Sequence, residues 1–240
     1  MEVKEFQQKL NELSQKINIQ LEEKQINQFY TYMNLLLQWN EKINLTAITD
    51  PNEIILKHFI DSITIMSYLE KNKNIVDVGT GGGFPGIPVK IVNEKINMTL
   101  LDSLNKRINV LKEIINTLNL DNISAIHARV EEFGQNKENR EKFDIATSRA
   151  VAKLNILSEY MLPLVKVGGK CICMKGPDID EEIEESQKAI ELLGGRIDEI
   201  KKFTLPESNL ERTIIVISKI KHTANKYPRK PGMPAKEPIK

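Results

Sequence analysis

Between residues 74 and 174 short apolar runs alternate with stretches of helical periodicity. That rhythm restricts the fold more than any other feature of the 240 residues. The apolar runs fall at 75–78, 98–101, 124–127, 143–147 and 170–174, and the helical stretches at 86–93, 105–118 and 154–164. Strands joined through helices lie parallel, in a sheet that helices cover on both faces. The predicted class is therefore α/β. Two more strand-like runs, 195–203 and 212–220, have only a loop containing Pro206 between them and pair more easily as antiparallel neighbours. Ahead of the alternation, residues 1–70 read as helices: Phe6, Leu10, Leu13 and Ile17, then Phe29, Met33 and Leu36, recur three and four apart. The expected organisation is a helical segment over 1–70, a sheet domain over 71–220 and a basic, extended, proline-bearing tail over 221–240.

The first strand runs into Asp77-Val78-Gly79-Thr80-Gly81-Gly82-Gly83-Phe84-Pro85-Gly86-Ile87-Pro88, five of whose twelve residues are glycine. So dense a cluster marks a chain that must approach something closely. No Lys-Ser or Lys-Thr follows, which excludes a nucleoside-triphosphate loop. Gly81, Gly83 and Gly86 do match the dinucleotide fingerprint, a weak signal alone. Asp77, two residues ahead of Gly79, opposes a pyrophosphate at close range and suits a ligand carrying an ammonium group. Pro85 also removes an N–H that a phosphate cradle would use. These features favour S-adenosylmethionine (SAM), which has a methionyl ammonium, a sulfonium and no phosphate, over NAD. Asp102 follows the second strand, where nucleoside-binding sheets place a ribose acceptor; a helix N-cap is its alternative reading.

Composition fits a globular protein, at 40% hydrophobic and 28% charged residues. The apolar runs are too short to span a bilayer, and the N-terminus lacks a signal-peptide layout. Cys171 and Cys173 lie within an apolar run without a metal-ligand pattern and read as core residues. The expectation is a cytoplasmic monomer without metal or membrane partner. The net charge of +1 conceals an asymmetry: residues 219–240 carry about +6, leaving about −5 on the remainder. A cationic end on a mildly acidic body points to a polyanion partner.

Residues 77–91, LLDSLNKRINVL at 100–111, TSRAVAKL at 147–154, MKG at 174–176 and KYPRKPGMPAKEPI at 226–239 resemble the glucose-inhibited division protein B family. These are the bacterial ribosomal small-subunit methyltransferases G. NLTAI at 44–48 and HFIDS at 58–62 are similar to its pattern as well, so the resemblance covers nearly the whole chain. It implies a SAM-dependent methyltransferase fold: a Rossmann-like, seven-stranded, mostly parallel sheet with an antiparallel strand at its edge. It further implies methylation of guanine N7 in 16S ribosomal RNA, with the small subunit or an assembly intermediate as partner. By motif position, Gly79 and Phe84 line the cofactor site, Val130 and Glu131 flank the adenine, and Arg149 stands at the cofactor. Arg149 as a structural ion pair, and Glu131 as the solvated start of a helix, are the competing readings.

His58, Asp61 and Ser62 contain triad residue types but lie too close together along one helix to form one. His58 is instead a candidate RNA contact or a buried structural histidine. Lys175, Lys226, Tyr227, Arg229 and Lys230 complete the candidate RNA surface, with Tyr227 as a ring on which a splayed base stacks. An NAD-dependent oxidoreductase and a non-catalytic RNA-binding protein are the rival classes.

Overall fold

The structure is a computed structural model describing residues 1–240. Seven strands, β1 (Asn74–Val78), β2 (Asn97–Asp102), β3 (Ile123–His127), β4 (Phe143–Arg149), β5 (Val165–Lys175), β6 (Gly195–Thr204) and β7 (Glu211–Lys219), form one sheet. The order is β3-β2-β1-β4-β5-β7-β6. β1 to β5 pair in parallel, whereas β7 runs antiparallel to both β5 and β6. The expected antiparallel strand is thus β7, one place in from the β6 edge.

Both faces of the sheet are covered, and successive residues feed opposite cores. Ile75, Ile172, Ile214 and Val216 belong to one buried cluster; Val76, Val78, Cys171, Cys173, Ile215 and Ile217 belong to the other. This alternation is why the strands read as unbroken apolar runs. Both cysteines are free and buried, as their setting suggested. Helices Val3–Lys16, Glu23–Asn40, Gly86–Val92 and Asn105–Thr117 cover the first face; Val130–Gln135, Leu154–Met161 and Asp180–Leu192 cover the second. Phe6, Phe29, Tyr32 and Phe59 from the N-terminal helices share one cluster with sheet residues, so 1–70 packs directly on the sheet.

Three segments differ from the sequence reading. The sequence places Pro51 in the first turn of a helix running to Leu69; the helix does start there, capped by the Asp50 carboxylate, but it is π-helical over Ile54–Ile60 and ends at Ile63. Asp180–Leu192 is an additional helix. The tail is not extended. Thr223, Tyr227, Pro228 and Pro234 are buried, and Met233–Lys236 forms a helical turn. Its apolar residues find the second core, and distant side chains bond its backbone: Arg140 donates to the carbonyls of Tyr227 and Thr223 at 2.6 and 2.7 Å. No helix is long and apolar enough to cross a membrane.

Strand order reverses between β1 and β4, neighbours in the sheet whose next strands lie on opposite sides. In open α/β sheets that switch point opens a crevice at the carboxyl ends of the strands.

Candidate functional site

The glycine turn leaves β1 and crosses the end of β2: the N–H groups of Gly79 and Thr80 both donate to the Leu101 carbonyl, at 2.8 and 3.1 Å. Gly79 adopts φ +69°, and a Cβ there would lie 2.5 Å from a Val151 methyl. The loop after β4 therefore passes against bare backbone. At Gly86 a Cβ would meet Leu100 at 2.3 Å and the Asp77 carboxylate at 2.9 Å.

Asp77 explains the close fit at Gly86. Its Oδ2 accepts from the Thr80 hydroxyl at 2.6 Å and the Gly86 N–H at 2.9 Å, bracing both ends of the turn. Its Oδ1 is buried without a hydrogen-bond partner. Burial pushes this carboxyl up to about 6, against the opposing pull of the Thr80 and Gly86 hydrogen bonds. The side chain expected to face a ligand is instead folded into the turn. Tyr32, from the Glu23–Asn40 helix, donates its hydroxyl to the Gly82 carbonyl at 2.6 Å and holds the turn from the other side.

Beside the turn lies a cleft of about 260 Å³, just under the ~300–1,000 Å³ common for small-molecule sites. Val78, Gly79, Leu101 and Asp102 contribute from the strand ends, Val130 and Glu131 from the segment after β3, and Ala235 from the tail. Asp102 is not the helix N-cap, a position that Leu104 takes without a side-chain cap bond, and it braces the loop instead. Its Oδ1 accepts from the Leu104 N–H at 2.9 Å just ahead of the Asn105–Thr117 helix, its Oδ2 accepts from the Gly81 N–H at 2.9 Å, and the residue lines the cleft. Glu131 is buried and accepts from the Gly232 N–H at 2.9 Å, so it is not a solvated helix start.

The charged lining residues are Asp102, Glu131 and Arg129; no lysine is among them. A pyrophosphate there would face two carboxylates with one compensating cation. An adenosine bearing a cationic arm faces the favourable sign. Carboxylates, a glycine floor and apolar walls fit SAM.

Arg149, at the end of β4, lies in a buried cluster next to the turn, not on the cleft wall. It donates to the Lys57 carbonyl at 2.9 Å, to Asp61 Oδ2 at 3.3 Å and to His58 Nδ1 at 3.2 Å. A guanidinium has no acceptor, so Nδ1 carries the lone pair and Nε2–H donates to the Thr46 hydroxyl, 2.7 Å away. Burial, and secondarily the Arg149 charge, holds His58 down at about 3. The Phe84 ring stacks on His58, centroids 4.4 Å apart, with Arg149 Cζ at 5.0 Å. Arg212 from β7 shares the same Asp61 oxygen at 3.0 Å. His58 is thus a buried, neutral member of this cluster, and Arg149 makes the ion pair weighed as its alternative role.

The candidate RNA residues divide. Lys175 donates to the Ala152 carbonyl at 2.6 Å and pairs with Glu182, pinning the loop after β4. Tyr227, expected to stack on a base, is only 7% exposed because its ring joins the second core. Arg229 is clamped on Glu159. Lys226, 5.1 Å over the Tyr227 ring, and Lys230 remain exposed. Sequence reasoning missed Val151, Ile156, Tyr160 and Ala235 on the cleft and Tyr32 behind the turn. The spacing of Ile156 and Tyr160, four apart on one helix, was the only local signal for any of them.

The model of the family described as rRNA small subunit methyltransferase G matches residues 25–213. A ribosomal RNA small subunit methyltransferase G of Desulforamulus reducens is 55% identical over 232 residues, covering 96% of this chain and 97% of its own. The protein of that name in Alkaliphilus metalliredigens is 51% identical, covering 94% and 95%. Among solved structures, M. jannaschii TYW2 in complex with AdoMet aligns over 68% of this chain and 76% of its own, with TM-score 0.53 and 16% identity. MtNAS in complex with MTA and tNA aligns over 80% and 74%, with TM-score 0.54 and 13% identity. At such identities these two show a shared fold.

Proposed function

The chain belongs to the rRNA small subunit methyltransferase G family, and from that premise we propose that it methylates N7 of a guanine in 16S ribosomal RNA, with SAM as the donor. The observation that carries the cofactor reading is the carboxylate-lined, lysine-free cleft at the β1–β4 switch point. Asp102 holds the ribose hydroxyls, Val130 and Glu131 flank the adenine, and Gly79 lets the methionyl end approach the backbone. Asp77 acts from beneath, fixing the turn and placing an unpartnered carboxylate oxygen under it. Phe84 and Arg149 stand behind the turn, in the His58–Asp61 cluster, and support it from there without lining the cleft.

Bound there, SAM supplies a methyl carbon attached to a positively charged sulfur, which departs as a neutral thioether. Guanine N7 is an acceptor on the base's major-groove edge and carries a lone pair without a proton. No general base is needed, and the chain's own residues are suited to a site without one. His58 spends its lone pair on Arg149 and resists protonation, while Asp77 is sealed into the turn. The residues' contribution is alignment: a braced turn, a fixed β4 loop and walls that exclude water. Positioning of this kind supplies several kcal/mol of the barrier reduction.

The test is incubation of the protein with methyl-labelled SAM and small-subunit RNA, followed by chemical cleavage specific for 7-methylguanosine. Label at one guanine, cleavable at that site, is the expected result. Label elsewhere on the base removes the N7 assignment, and no transferred label on any ribosomal substrate leaves a binding protein.

A further inference from the structure

One wall of the cleft comes from the end of the chain, through a short exposed span that reaches across to a cleft residue. Residues 223–228 form a firm root. Arg140 holds the Thr223 and Tyr227 carbonyls, Gln135 bonds the Pro228 carbonyl, and the Pro228 ring lies against Gly134. Arg229 comes next. Its Nε and Nη2 grip Glu159 at 2.9 and 2.6 Å, and its N–H donates to the same carboxylate at 2.8 Å. Glu159 is 1% exposed and lies on the Leu154–Met161 helix, between positions that send Ile156 and Tyr160 into the cleft.

Beyond this clamp the chain is held again: Pro234 is buried, Asn155 Nδ2 donates to the Ile239 carbonyl at 3.4 Å, and Ile239 packs against the second core. Gly232, at φ +82°, donates to Glu131 on the opposite side of the cleft, and Ala235 contributes to the lining. Residues 230–232 and 235–237 are exposed. A well-fixed root, a charged clamp and an exposed span that touches the cleft before the chain is held again at Ile239 describe a strap fastened at both ends.

We propose that residues 229–236 are a strap over the cofactor cleft, fastened by Arg229 to Glu159 and by Gly232 to Glu131, and that strap closure and cofactor binding are thermodynamically coupled. The proposal rests on the reading that the cleft takes SAM. Closure aligns the Glu131 carboxylate through the Gly232 N–H, so Arg229 and Gly232 are positioning residues and touch no reacting atom. Coupling is reciprocal: a ligand that favours the closed strap is itself bound more tightly when the strap is fastened.

S-adenosylhomocysteine is the probe. Hydrogen exchange of the amides of 230–236 in the wild-type protein is expected to slow at least fivefold when the probe is bound. Calorimetry on Arg229→Gln is expected to show affinity lowered about tenfold, within the ~5–150-fold typical of coupled sites, with Arg229→Lys in between. Thermal melting of each variant checks that the sheet domain is intact. Exchange that is equal with and without the probe, or unchanged affinity in Arg229→Gln, overturns the strap. A wild-type protein that binds no probe at all overturns the cofactor reading instead, so the two failures are distinct.

Discussion

Asp77 and His58 are both buried beside the glycine turn, and burial moves them in opposite directions along the pH axis. Asp77, pushed from 3.8 to about 6, is protonated in folded and unfolded chains alike below 3.8, where its contribution to stability is complete. That contribution is lost as pH rises through about 6. His58, lowered from 6.5 to about 3, contributes fully above 6.5 and loses its contribution as pH falls toward 3. Between about 4 and 6 the two slopes oppose, each at most about 1.4 kcal/mol per pH unit. Single variants separate them. Asp77→Asn leaves His58 unopposed, and its urea midpoint is expected to fall on acidification from pH 6.5 to 4. His58→Gln removes the histidine's opposition, and its midpoint is expected to rise relative to the wild type over the same interval, with Glu141, held down at about 2, opposing only near pH 4. Midpoints that track the wild type in both variants would show that neither group is held as its burial implies.

At the scale of elements, the turn is a junction between the sheet and a helix far off in sequence. Tyr32 bonds the Gly82 carbonyl and stacks on Phe84, centroids 5.5 Å apart, so the Glu23–Asn40 helix fixes the turn's outer edge. Tyr32→Phe keeps the ring and strands the carbonyl. The expected cost is about 1–3 kcal/mol of stability, with weaker S-adenosylhomocysteine binding measured by calorimetry. Full stability with unaltered binding would mean that the helix does not govern the turn.

Such junctions mark the limit of what the sequence discloses. The strands were legible because residues feeding two cores are apolar throughout, as at Ile214–Ile217. The antiparallel pair followed from a loop too short for a crossover. The Asp180–Leu192 helix escaped because its buried face, Ile183, Ser186, Ala189 and Ile190, is sparse and half small residues among many acids. Asp77 was found as a residue but not as an orientation. Whether its carboxylate faces the ligand or the Gly86 N–H depends on a rotamer, and spacing along the chain carries no record of that.

Across the whole molecule the cationic end is divided by packing rather than by sequence. Arg229 and Lys219 face inward, on Glu159 and on Glu141 with the Leu162 carbonyl. Their charge is neutralised locally and is not offered to a polyanion. The full excess of the last residues therefore overstates what RNA meets, and a charge count made on the sequence alone cannot separate the two kinds of cation. Lys226, in the root, and Lys230, just past Arg229, remain exposed. If they neutralise phosphates, RNA affinity plotted against salt on logarithmic axes should lose about 0.7–0.9 of slope for each one removed. Lys226→Ala with Lys230→Ala is expected to flatten the line by about 1.4–1.8 and to weaken binding evenly across RNA sequences. Arg229→Gln is the informative contrast. An arginine already paired with a buried carboxylate has released no counterion from RNA, so its removal should leave the slope unchanged even where affinity falls. A slope reduced as much by Arg229→Gln as by either lysine would mean that the Glu159 clamp opens when RNA arrives.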